Sequence, residues 1–425
     1  MTATWILGGV RTPFAKAGTA LKRVPAYELG RIAVGEAIAR ADLDPSRLDE
    51  VILGNCAMPA EAANSARVAA LRAGVPEPVP AFTVHRNCAS GMEAVASAAC
   101  RIAAGEAKLV LAGGMESMSR IPLQFPLEYS DWLEGVMRAR SPLAKLGAFA
   151  RFRPRLLAPR IALAEGLTDL VCGLNMGQTA EVLAREFRIS RERQDAYALQ
   201  SHQRAVAARE RLREEIVPVF PPPACEPLRD DVGPREGQTP EALAKLKPYF
   251  DRRNGTVTVG NSCQVTDGAV ALLVGDDDAA ATWTSAPLGR LSAFAFAGLS
   301  PARMGLGPVF AIAKALARAN LTLADMELIE INEAFAAQVL ACIAAAASPA
   351  FARAELGRDR ALGEIPEERL NVNGGAIALG HPVGSSGARL LLTLLHELRR
   401  RNLKRGLAAL CVGGGQGAAF VLERP

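Results

Sequence analysis

The sequence predicts an α/β protein built from two related layered halves, with a loop domain inserted into the first. Three observations predict it. Short β-like runs alternate with alanine-rich helical runs towards both ends of the chain. The alternation breaks down between residues 121 and 250, and the two alternating regions repeat one helix-to-strand pattern. A chain of 425 residues, 50% apolar but only 5% aromatic, has room for such a core and suits helices packed closely on sheets.

In chain order, the β runs "TWILGG", "EVILGN", "AFTVHR" and "KLVLAGG" alternate with the helical runs "YELGRIAVGEAIARA", "SARVAALRAG" and "GMEAVASAACRIAAG", so residues 1–120 read as parallel βαβ layers. Residues 121–250 hold proline turns, scattered arginines and helices such as "SRERQDAYALQSHQRAVAARERLREE", and read as an inserted domain. The run "TVTVGNSCQVTDGAVALLVG" completes the first half over 251–281, and a second alternating half follows over 282–425. "NCASGMEAV" leads through a helix to "KLVLAGGMES", and "HPVGSSGARLL" leads through a helix to "GLAALCVGGGQG". Such a duplication places Cys88 and His381 at equivalent helix N-termini, facing each other near a pseudo-twofold axis.

Composition narrows the function. The net charge of +5 is modest and spread along the chain, which fits anionic small molecules better than nucleic acid. The eight cysteines form no CxxC pair and no His/Cys metal spacing, so they read as reduced thiols rather than as a disulfide or metal framework. A strand-like run starts almost at residue 1 and no apolar stretch approaches a membrane span, so the expectation is a soluble cytoplasmic protein.

Four segments carry candidate chemistry. Cys88, in "VHRNCASGMEA", lies where a strand gives way to a helix, and a helix N-terminus favours a thiolate. It is either a nucleophile or a small core thiol. "NGGAIALGHPVGSSGARLL" is dense in glycine and holds His381, which is either a structural histidine or the base a cysteine nucleophile needs. "ALCVGGGQGAAF" runs a strand through Cys411 into three glycines. It closes on a strand rather than opening a helix, so it is no dinucleotide fingerprint; its glycine amides suit an oxyanion hole, and Cys411 a proton carrier. In "INEAFAAQ", Asn332 is either an N-cap or a functional amide.

Taken together and in this order, "NCASG", "GGMESMS", "NEAFAAQ", "GGAIALGHPVGSSGAR" and "CVGGGQGAA" closely resemble the thiolase family of acyl-CoA acetyltransferases, over nearly the whole chain from Arg11. "LNMGQTAEVLA", "QSHQRA" and the long insert look most similar to the fatty-acid-oxidation thiolases, including the thiolase subunits of trifunctional complexes. The resemblance implies two βαβαβαββ halves in a five-layered α-β-α-β-α arrangement. It also implies thiolytic cleavage of a 3-ketoacyl-CoA by CoA, reversible by Claisen condensation, with coenzyme A as co-substrate and no bound cofactor or metal.

The resemblance further implies Cys88 as the nucleophile that carries the acyl group, His381 as its activator, and Cys411 as the acid and base. Asn332 would hold a water that with His381 forms one oxyanion hole; the amides of Cys88 and Gly413 would form the second. Cleavage makes an enolate and acyl transfer a tetrahedral oxyanion, so two sites of negative charge need donors. Met176 and Met304 match acyl-pocket positions or are core packing, and Ser262 and Cys263 match the stretch beside the pantetheine arm. Small-chain thiolases often carry Ala-Ser there and a histidine where this chain has Asn175, which weakens a strict acetoacetyl-CoA preference.

By resemblance the chain is at least a homodimer, with a tetramer as the larger alternative. Residues 136–160 hold seven basic residues and no acidic ones, interleaved with leucines and phenylalanines. They read either as a lid over the CoA site or as a contact with an anionic membrane surface or a hydratase/dehydrogenase partner. The competing functions are a biosynthetic acetyl-CoA acetyltransferase and, of another class, a non-catalytic acyl-CoA or lipid-binding module on the same scaffold. A ketoacyl synthase would lack the second catalytic cysteine.

Overall fold

The computed structural model describes residues 2–425 and contains two units: a main unit, residues up to Arg120 with Asp169–Pro425, and a second unit, Ile121–Thr168. The first half of the main unit runs β1 (Thr4–Arg11), α1 (Ala26–Arg40), β2 (Glu50–Gly54), α2 (Ser65–Arg72), β3 (Ala81–Val84), α3 (Ser90–Ala103) and β4 (Leu109–Ser117). The second unit contributes α4 (Leu127–Arg138) and α5 (Pro142–Ala150); then come α6 (Met176–Glu186), α7 (Arg191–Ala207) and β5 (Thr266–Gly275). The second half runs β6 (Gly289–Gly298), α8 (Gly307–Ala319), β7 (Leu328–Ile331), α9 (Ala336–Ala347), α10 (Val383–Arg400), β8 (Arg405–Val412) and β9 (Gln416–Glu423). Among the described residues, no single helix is long and apolar enough to cross a membrane.

The duplication is real and the layers are five. Helices α1 and α2 cover the outer face of the first half's strands, α8 and α9 the outer face of the second half's, and α3 and α10 lie together between them. The strands β4 and β5 are buried at every position, which is why they read as unbroken runs of small and apolar residues instead of alternating ones. Glycine lets the central helices touch: a Cβ on Gly91 of α3 would lie 2.7 Å from the backbone nitrogen of Ala388 in α10. The two halves are not separate sheets. Strands run in the order β7-β8-β9-β6-β1-β5-β4-β2-β3, with the short strand Ala15–Lys16 beside β5, and the halves join where β1 pairs with β6 over Thr4↔Leu291, Trp5↔Arg290 and Ile6↔Gly289. In the second half, the place that β3 holds in the first is reduced to one bridge, Ile329↔Leu370.

The expected insert, 121–250, is divided. Only Ile121–Thr168 forms its own unit, because α6 and α7 bury Leu183, Tyr197 and Ala198 in the core built by α8 and α9. In the second unit, by contrast, Leu156 is the one buried side chain. That unit is organised around Trp132, whose ring lies 5.1 Å from Phe152 and 5.9 Å from Phe149, and whose Nε1 donates to the Ala148 carbonyl at 3.1 Å. Leu127, Met137, Leu143 and Leu146 remain exposed.

Candidate active site

Cys88 lies in the turn between β3 and α3, as its sequence context predicts. The turn is tight: Ala89 N donates to Arg86 O at 2.9 Å, and Ser90 N and Oγ both donate to Asn87 O, at 3.0 and 2.7 Å. Asn87 takes a positive φ of 43°, which an Asn tolerates better than most residues. Cys88 keeps partial exposure, as a nucleophile that must meet substrate requires. Burial raises its thiol pKa, and the backbone amides of Gly413 and of Cys88 itself oppose that rise. The two amides assigned to the second oxyanion hole are thus the ones that favour the thiolate at this sulfur.

His381 precedes α10 in the second half and is buried. Its Nδ1 lies 2.6 Å from Ser386 Oγ, and that hydroxyl donates to Pro382 O at 2.9 Å. With the hydroxyl proton committed to the carbonyl, Nδ1 carries its own proton, and Nε2 presents a lone pair with no partner in the protein. Burial, then the charge of Arg389, pushes the pKa down to about 4, so the ring is a neutral base near pH 7. Ser386 was not among the sequence candidates; its signal was the "SSG" repeat three residues beyond the histidine's proline.

Asn332 follows β7 and is buried, and neither its Oδ1 nor its Nδ2 has a protein partner. An ordinary N-cap would use that oxygen, so an amide left free in the interior marks a ligand-binding group. Its neighbour Glu333 is fully committed: the carboxylate accepts Tyr197 Oη at 3.1 Å, Ser201 Oγ at 2.6 Å, Asn371 Nδ2 at 3.0 Å and Ile377 N at 3.2 Å. Burial raises the Glu333 pKa against those donors.

Cys411 is the next-to-last residue of β8, with Val412 between it and the Gly413–Gly415 turn, where Gly414 and Gly415 take positive φ values of 85° and 75°. Burial holds this thiol well above its ordinary pKa, and the nearby sulfurs of Cys88, Cys342 and Cys263 add to the effect. It is thus a proton-bearing thiol. Met176, at the start of α6, packs with Met304, Phe250, Phe335 and Cys411 in one apolar cluster, so the two methionines and the second thiol share a wall. Cys263 lies close enough for the Cys88 charge to raise its pKa, to about 12 after burial, the larger cause. Ser262 turns inward: its hydroxyl donates to Thr258 O at 2.7 Å and is spent on its own turn.

A second carboxylate escaped the sequence reading. Glu116, in "GGMESMS", is buried and accepts Asn55 Nδ2 at 2.7 Å, Ala57 N at 3.0 Å, Cys56 N at 3.1 Å and Gly384 N at 2.8 Å. It ties β4 to the first turn of the helix that follows His381.

Comparison with known proteins agrees with this geometry along the whole chain. The thiolase N-terminal domain matches residues 4–278 and the thiolase C-terminal domain residues 285–424. A 3-ketoacyl-CoA thiolase of Yersinia enterocolitica is 41% identical over 421 residues, 98% of this chain and 96% of that protein. A Bacillus anthracis acetyl-CoA acetyltransferase superposes with a TM-score of 0.86 at 38% identity, covering 100% of this chain and 99% of that one. Human mitochondrial 3-ketoacyl-CoA thiolase in complex with CoA gives 0.84 at 37% identity, covering 100% and 98%. With both domains matched in order over nearly all of its length, the chain belongs to the thiolase family.

Proposed function

We propose that this chain cleaves 3-ketoacyl-CoA with free CoA, giving acetyl-CoA and a shortened acyl-CoA through an acyl thioester on Cys88. The observation that carries the reading is that two buried candidate groups are left uncommitted. His381 Nε2 and both polar atoms of Asn332 lack protein partners, while the Gly413 and Cys88 amides favour the Cys88 thiolate.

His381 takes the Cys88 proton, and the thiolate adds to the ketone carbon of the substrate. The bond between C2 and C3 breaks, leaving the acyl group on Cys88 and acetyl-CoA as an enolate. Asn332, through a bound water, and His381 stabilise that enolate, and Cys411 protonates its carbon. Cys411 then takes the proton of the incoming CoA thiol, whose sulfur attacks the Cys88 thioester. The Gly413 and Cys88 amides hold the tetrahedral oxyanion, and acyl-CoA leaves as His381 returns a proton to Cys88. Met176 and Met304 line the acyl side, and Cys263 the pantetheine side. Coenzyme A serves as co-substrate, and the sequence of steps calls for no resident cofactor.

The relatives' naming as 3-ketoacyl-CoA thiolases supports a role in fatty-acid β-oxidation over acetoacetyl-CoA synthesis. Eight free cysteines suit a reducing, cytoplasmic setting. The open edge of β3 at the end of the sheet supports a homodimer. The exposed leucines of the second unit, with Arg140, Lys145, Arg151, Arg153 and Arg155 in no ion pair among the described residues, support contact of residues 136–160 with an anionic membrane surface. The deciding experiment incubates the protein with CoA and 3-ketoacyl-CoAs of several chain lengths and follows thioester loss, with Cys88→Ala beside the wild type. Full turnover by Cys88→Ala refutes the mechanism.

A further inference from the structure

Asn87 stands next to the nucleophile, yet nothing in the mechanism above uses its side chain. Its backbone is in the left-handed region at φ 43°, held there by three donors on one carbonyl: Ser90 N, Ser90 Oγ and, at 3.1 Å, Cys56 Sγ. That conformation directs the side chain away from its own half. Asn87 Nδ2 donates to the carbonyl of Gly413 at 2.8 Å, across 326 residues of sequence. Gly413 is the residue whose amide favours the Cys88 thiolate and is read above as an oxyanion donor. The far end of the turn is held where Leu299 N donates to Gly415 O at 2.8 Å, and at Gly413 itself the carbonyl is held by Asn87.

We propose that Asn87 is a positioning residue: its amide clamps the Gly413 carbonyl from the first half, and so fixes the Gly413 N–H on the Cys88 sulfur and on the oxyanion that forms beside it. The clamp closes a loop between two adjacent residues of the first half, Asn87 and Cys88, and the carbonyl and amide of the single residue Gly413. A small rotation of the Gly413 turn would break both. The positive φ at Asn87 is the conformational cost of reaching across. The inference rests on the reading of the Gly413 amide as an oxyanion donor.

Asn87→Gly and Asn87→Asp separate the clamp from the strain. Gly accepts the positive φ freely and lacks the amide; Asp keeps the shape and the tolerance of that φ but presents an acceptor to the Gly413 carbonyl. Losing a whole oxyanion donor costs about 10²–10³ in kcat, so a loosened one is expected to cost about tenfold or more, with KM little changed. The melting temperature of Asn87→Gly should hold or rise. The pH profile for alkylation of Cys88 by iodoacetamide should move to higher pH in Asn87→Gly, because a hydrogen bond to the thiolate is weakened. Asn87→Asp should be slower than wild type in kcat. Wild-type kcat and an unmoved alkylation profile in Asn87→Gly, or wild-type kcat in Asn87→Asp, overturns the inference. If Cys88→Ala is inactive while Asn87→Gly turns over normally, the inference fails and the thiolase reading stands.

Discussion

Replacing Glu116 by glutamine tests whether a buried carboxylate, chosen for its four acceptor sites, holds the two halves in register. Oε1 accepts from Asn55 Nδ2 and Ala57 N, and Oε2 from Cys56 N and Gly384 N, at 2.7 to 3.1 Å. A glutamine amide keeps the shape but turns one oxygen into an NH2 group, which faces two N–H donors in either orientation. Two hydrogen bonds are lost. On the Asn55 side the loss is softened, since Asn55 Nδ2 also reaches Met115 O at 3.2 Å, so the amide settles there and orphans the Ala57 N–H. At about 1–3 kcal/mol for each buried donor left unsatisfied, the variant should lose about 2–4 kcal/mol. Urea unfolding of Glu116→Gln beside wild type reads this directly as a shift in midpoint at constant slope. Because Gly384 keeps its acceptor, kcat should fall less than tenfold. A stability within about 0.5 kcal/mol of wild type would show that these four contacts carry no net energy, and refute the argument.

Asn332→Ala removes an amide that has no protein partner, so activity should fall about 10²–10³-fold while the melting temperature holds or rises; a loss of stability would mark the amide as structural. Cys411→Ala should abolish solvent deuterium exchange at the acetyl-CoA α-carbon but leave Cys88 open to iodoacetamide; retained exchange would remove Cys411 from the mechanism. Burial holds His202 and His381 at about 4, below the ordinary 6.5, so the unfolded chain binds their protons more tightly. Their contribution to stability is therefore complete above about pH 6.5 and is lost as pH falls towards 4. Urea midpoints should drop between pH 7 and 5, and less steeply in His202→Gln. A flat profile would mean the folded histidines titrate normally.

Cys88, His381 and Cys411 stood out as candidates because each lies near a strand end or helix start beside glycines, while Asn332 lies after a strand with no glycine near it. Ser262 shows the limit of that signal. Its neighbour Cys263 faces the thiols, but the hydroxyl that would meet a substrate is bound to Thr258 one turn back. The separate unit is narrower than the expected insert for a related reason. Proline turns and charge separate 121–250 from the flanking strands, yet whether a segment stands apart depends on what its apolar face meets, and α6 and α7 find a core while 121–168 supplies its own. Glu116, Glu333 and Asn87 were silent because their partners lie far away in sequence, and spacing cannot report a hydrogen bond to a distant backbone.

Those silent residues explain how a base on a glycine-rich loop is held still. The loop before His381 contains Gly374 and Gly380 at positive φ, so its own backbone defines little. Its position is set from outside. Four residues before the histidine, Ile377 N is bound by Glu333 of the second half; three residues after it, Gly384 N is bound by Glu116 of the first; and the His381 amide itself donates to Gln264 O at 3.1 Å. Each half thus fixes one side of the base with a buried carboxylate: Glu116 accepts four N–H donors, and Glu333 two N–H and two hydroxyl donors. Neither carboxylate touches the reaction, and their own pKa values are raised by burial against those donors. A rotation of one half against the other would pull His381 between its two anchors before it disturbed either core. That makes the relative placement of the halves, more than any single side chain, what sets the position of the His381 ring.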